Sequence, residues 1–107
     1  MYSSRVAWET LRSIDSATLT GGYQAVGGPL THPAYIIKLV NNSNVLVTIS
    51  IDGITDVDVA PANSFWLYDE DEGNDRHPGL PSNTQIYVKG SAGVGLIYLV
   101  VQYLVQL

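Results

Sequence analysis

The chain has 107 residues, 46% of them hydrophobic and 14% charged, which suits one domain with apolar content enough for a core and excludes a disordered chain. Ten acidic against five basic residues leave a net charge of −5, and Arg5, Arg12, Lys38, Arg76 and Lys89 are too few and too scattered to track a phosphate backbone, so no nucleic acid is expected as a partner. The lack of cysteine excludes disulfides, thiolate metal sites and a thiol nucleophile together.

The first fifteen residues, MYSSRVAWETLRSID, lack the apolar stretch of about 7–15 residues that a signal peptide needs, so the chain is expected to begin as translated. No run reaches the roughly 20 apolar residues of a membrane helix, and no membrane partner is expected. Residues 1–16 differ in character from the rest. They hold Trp8 and two of the five basic residues, Arg5 and Arg12, and are read as an N-terminal arm that precedes a domain at 17–107.

From residue 17 onward the hydrophobic pattern has period two, punctuated by Gly, Pro, Asn and Asp clusters. A first strand is expected over Thr18 to Ala25, with the Gly21-Gly22 pair marking a bulge or an edge. Ala34 to Asn41 places Tyr35, Ile37 and Leu39 on one face and Ile36, Lys38 and Val40 on the other. The run Asn41-Asn42-Ser43-Asn44 reads as a tight connection, because these side chains bond the local backbone and tolerate φ > 0. Val45 to Asp52 then alternates, with Val45, Val47, Ile49 and Ile51 inward and Thr48, Ser50 and Asp52 outward. Asp52-Gly53 is a hairpin signal leading to Thr55–Ala60, whose Asp56 and Asp58 are expected on an acidic outer face.

Pro61-Ala62-Asn63 turns the chain into Ser64 to Tyr68, where Phe65 and Leu67 oppose Trp66 and Tyr68, one pair for the core and one for contact. Residues 69–81 form the longest irregular stretch, Thr84 to Lys89 resumes the alternation, and Gly90 to Gly95 reads as a hairpin turn. The last twelve residues, Leu96 to Leu107, form an uninterrupted strand with Ile97, Leu99, Val101, Tyr103, Val105 and Leu107 on one face. At about 3.3 Å per residue it would run far past the usual strand of about 5–6 residues, so its end needs cover. The expected fold is all-β: an antiparallel two-sheet sandwich of jelly-roll type with about seven or eight strands and an extended N-terminal arm.

No constellation for catalysis, cofactor binding or metal binding survives inspection. The acidic run Asp69-Glu70-Asp71-Glu72-Gly73-Asn74-Asp75 offers carboxylates, but its glycine comes fifth and no closing glutamate follows, unlike a calcium loop. His32 and His77 each precede proline and share no ligand spacing. No nucleophile elbow accompanies any Ser-His-Asp combination, and Gly90–Gly95 lacks the Gly-Lys-Ser/Thr ending of a phosphate loop and leads into a strand. The aromatics, Trp66 and Tyr68 among them, could form a sugar platform, but core and interface packing is the preferred reading.

At Ile49 to Asp69 (ISIDGITDVDVAPANSFWLYD) and Thr84 to Val101 (TQIYVKGSAGVGLIYLVV) the chain resembles small virion proteins of tailed bacteriophages, with a likeness running from Ile36 onward. A strand ending S-x-DG, a proline-led turn, an aromatic strand ending YD, a TQIYVKG strand and a glycine-rich hairpin recur there in this order. The resemblance implies a β-sandwich component of the virion, assembled in the host bacterial cytoplasm, and transfers no catalytic residue. It further implies capsid decoration, with a homotrimer docked on the major capsid protein, or else a neck, collar or fibre-adaptor role. Of another class is a carbohydrate-binding module. On this reading the arm (Tyr2, Arg5, Trp8, Arg12) docks, the last strand (Tyr103, Val105, Leu107) joins subunits, and Trp66 and Tyr68 add contact surface.

Overall fold

The structure, a computed structural model, describes residues 4–69 and 80–106, and the side chains of residues 5–68 and 80–105. Two antiparallel sheets face each other. The first contains β1 (Ser4–Trp8), β2 (Arg12–Asp15), β4 (Ile36–Ser43), β7 (Ser64–Asp69) and β9 (Gly95–Gln106), in the order β1-β9-β4-β7, with β2 following β1 along the same edge of β9. The second contains β3 (Gln24–Ala25), β5 (Val47–Ser50), β6 (Asp58–Ala60) and β8 (Tyr87–Lys89), in the order β3-β8-β5-β6.

Trp8 lies opposite Gln102 and Arg12 opposite Leu99, so the first strand advances four residues while β9 advances three. β1 and β2 are therefore one strand interrupted by a bulge. Counted so, the first strand pairs with the last, β3 with β8, β4 with β7 and β5 with β6. This is one long hairpin rolled onto itself, the winding of a jelly roll.

Period-two alternation builds the core. Ile37 and Leu39 of β4, and Ile97, Leu99 and Val101 of β9, turn toward Val47, Ile49, Ile86 and Val88 of the second layer, and all are buried. Each such side chain contributes roughly 1.5–3 kcal/mol by leaving water. Asn41 is also fully buried, with its Nδ2 within hydrogen-bond distance of the Val45, Ala60 and Pro61 carbonyls at 2.8, 2.9 and 3.1 Å, while its Oδ1 accepts from Ser43. Burial of an amide is tolerable only with such partners.

Several local expectations are corrected. Asn41 to Ser43 continue β4, and the connection comes after them: the Asn41 amide bonds the local backbone at Ser43 and Val45, as expected, and also reaches the distant carbonyls of Ala60 and Pro61. Asp52-Gly53 is not a two-residue hairpin: Ile49 is the last residue of β5 paired with β6, opposite Asp58, and a wide loop intervenes. Asp52 Oδ1 accepts from the Ile54 and Thr55 amides at 2.8 Å and from Ser50 Oγ, which draws Ser50 inward and leaves Ile51 exposed. The wide loop also sets the parity of β6, so Val57 and Val59 face solvent and Ala60 is buried. Of the strand expected over Thr18 to Ala25 only Gln24–Ala25 pairs, since Ser16–Thr18 is a 3-10 turn capped by Asp15. Gly90–Gly95 is no hairpin turn but the crossing from β8 in one sheet to β9 in the other. It is tied down by Gly93 N donating to Ser16 O and Val94 N donating to Asn44 Oδ1.

Residues 4–15, assigned by sequence to an arm, are part of the first sheet. They give β9 the cover that its length demanded, from within the same chain, as Arg5 to Trp8 pair with Gln102 to Val105.

Candidate functional site

The bulge between β1 and β2 has a consequence for side chains. On a regular strand residues three apart point to opposite faces, but the extra residue places Glu9 and Arg12 on the same, core-facing side. The Glu9 side chain is only 3% exposed and bonds Arg12 Nη2 at 2.8 Å, the His32 amide at 2.8 Å, His32 Nδ1 at 2.8 Å and the Thr31 amide at 3.1 Å. Arg12 in turn donates to the carbonyls of Gly28 and Pro29. Burial disfavours the Glu9 anion, yet the bonds from His32, Arg12 and Thr31 outweigh it and hold the carboxyl below its usual range. His32 stacks flat on Tyr103, with ring centroids 3.6 Å apart. Together these contacts staple the 27–33 loop to the long end of β9, beside a groove of about 450 Å³ that Trp8 and Leu11 also line.

The chemistry here is that of a fastener. Both carboxylate oxygens of Glu9 are engaged within the chain, and the Thr31 hydroxyl lies 3.0 Å from His32 Nδ1, the same ring nitrogen that bonds Glu9. Among the described residues no group of three or more His, Asp or Glu is placed to hold a metal ion, and no helix is long and apolar enough to cross a membrane.

The outward face of the first sheet is different in kind. The register sets out its rows: Val6 beside Leu104, then Trp8, Gln102 and Ile36, then Val100, Lys38 and Leu67, then Ser13, Tyr98, Val40 and Phe65, and last Asp15, Leu96 and Asn42. Trp8 is 60% exposed, Phe65 57%, Leu104 50% and Leu67 48%. Large apolar side chains left this exposed side by side on one sheet face are a mark of a contact surface. A shallow groove of about 340 Å³ runs beside Phe65 between β4 and β7.

The residues singled out from sequence fall in several places. Trp8 stands on this outward face. Arg5 and Val105 are paired neighbours on the opposite, core-side parity, and Tyr103 lies under His32. Arg12 spends its donors inside the chain. Trp66 and Tyr68 pack against the core, the Trp66 indole donating to Asp58 Oδ2 at 2.7 Å, so Phe65 and Leu67 are the outward pair. Tyr2, Leu107, His77 and the acidic loop after Asp69 lie outside the described residues. Glu9 and the outward Leu96, Tyr98 and Val100 were missed as site residues, the first because only a bulge makes the ExxR spacing meaningful. Gln102 and Gln106 mark the outward row of β9 toward its end, and the expected inward face holds at Ile97, Leu99 and Val101, but Leu96, Tyr98 and Val100 are as apolar as their inward neighbours and gave no sign of a contact surface.

Comparison of the chain with family models, curated proteins and solved structures finds no match.

Proposed function

We propose that this chain is a non-enzymatic structural protein of a tailed-phage virion that acts by docking, as a capsid decoration protein seated on the major capsid protein. The observation that carries the reading is the outward face of the first sheet, where Val6, Trp8, Phe65, Leu67, Leu96 and Leu104 are exposed on a chain whose net charge is −5. Exposed Trp8, Val6 and Leu104 at its long end form the surface that seats on the shell, because a large aromatic flanked by aliphatic side chains is the usual anchor of a contact. The rolled sandwich supplies a rigid support, and the Glu9 staple fixes the end that carries Trp8. The resemblance in the Ile49–Asp69 and Thr84–Val101 segments supports the same assignment.

Immunogold labelling of purified particles that carry the chain tests it. Label distributed over the heads is expected, and lost or reduced in Trp8→Ala particles. Label confined to the neck would favour the adaptor role, and unlabelled particles would overturn the virion assignment.

A further inference from the structure

The outward face carries two charged side chains among those described, Lys38 on β4 and Asp15 on β2, and their placement is related. Lys38 is level with Val100 of β9 and Asp15 is level with Leu96. They therefore flank β9 on opposite sides, four residues apart along it, and Tyr98 is their midpoint. Both are exposed, and Asp15 uses one carboxylate oxygen to cap Ala17 at 3.0 Å, leaving the other free.

We infer that a second copy of this chain covers the middle of this face, about a two-fold axis that lies in the interface and passes over Tyr98, so that Lys38 of each copy meets Asp15 of the other. An isologous contact needs a self-complementary surface, and one cation and one anion disposed evenly about a central aromatic provide it. The face is also where two chains of net charge −5 can approach without like charges meeting, as its own two charges cancel. Phe65, Leu67, Val40 and Leu96 lie on the β4 side of Tyr98 and along β9, and with Phe65 57%, Leu67 48% and Leu96 38% exposed a second copy has apolar side chains to cover there. Trp8 and Leu104 stay outside that region. The inference rests on reading the sheet face as a docking surface, but the dimer and the virion assignment can fail separately.

Light scattering on the full-length protein tests it. Wild type is expected at twice the chain mass of 11.6 kDa at micromolar concentration. Lys38→Asp and Asp15→Lys should each weaken the dimer about 10–100-fold, because each places like charges opposite one another. Mixing the two variants should restore a heterodimer, with one ion pair of native sign and one reversed, and the double variant alone should form a homodimer with both pairs reversed. Asp15→Asn keeps a capping side chain and loses the charge, so a milder loss is expected. A monomer or trimer of the wild type would overturn the proposal. So would a dimer indifferent to both single variants, or variants that stay apart when mixed. Particles labelled on their heads by a monomeric protein would refute the dimer and leave the decoration role standing.

Discussion

Asn41 is the residue on which the fold's interior is most exposed to error. It sits where an apolar side chain would be expected, and its amide serves carbonyls from three separate positions, Val45, Ala60 and Pro61. Asn41→Ala removes all three bonds, including that to the buried Ala60 carbonyl, and a loss of about 3 kcal/mol is expected by urea unfolding. Glu9 is the second such residue, and its effect depends on pH. Its carboxyl titrates lower in the folded chain than when unfolded, so its stabilisation is complete above the ordinary value of 4.5 and is lost as the pH falls through the lower, folded value. Unfolding measured from neutral to acid pH should show this acid-side decline in the wild type and a flatter profile in Glu9→Gln, from a lower starting stability. Neither role can be read from neighbouring residues. Asn41 stands in a run whose composition reads as a turn, and the partners of Glu9 lie 22 and 23 positions away at Thr31 and His32.

At the scale of elements, the long last strand was legible because twelve β-forming residues without a breaker leave little alternative, and Val47–Ile49 because alternation there is clean. What local chemistry cannot specify is the sheet that a strand joins. Gly90–Gly95 has the composition of a hairpin turn, yet its ends lie in different layers. The collision that a Cβ at Gly95 would make with the Asn42 carbonyl, at a φ of +117°, shows how closely that crossing packs. Gly95→Ala should cost more than about 2 kcal/mol. Parity was equally hidden in β7, where Phe65 and Trp66 are both aromatic and only the rolled topology turns Trp66 inward. The bulge makes a sharper prediction. Deleting Thr10 removes the extra residue and leaves Trp8 opposite Gln102 and Arg12 opposite Leu99, so a loss of only about 1–2 kcal/mol is expected. Deleting Val100 from β9 shifts one half of a central strand by one residue, exchanges its faces and should abolish folding. Thermal unfolding of the two deletions, side by side, checks the register directly.

For the whole molecule, the winding explains why a net-acidic chain keeps exposed apolar side chains on the outside of its first sheet. The jelly roll buries the inner rows of β4 and of β9 from Ile97 to Val101, but the outer row of β9 and its neighbours receives no third layer from the described residues. The chain measures 50 × 23 × 21 Å, and this face extends along its long dimension. Leaving it wet would forfeit several kcal/mol of burial that a partner could recover. The two proposed contacts divide that surface, the region around Tyr98 for a second copy and the end at Trp8 for the shell. Hydroxyl-radical footprinting across a dilution series, read at Phe65, Leu67, Tyr98 and Trp8, tests this division most directly. Phe65, Leu67 and Tyr98 should become protected together as the protein is concentrated, while Trp8 stays reactive until the protein is bound to particles. Equal reactivity of all four at every concentration, and on particles as in solution, would contradict the claim that this face is a contact surface.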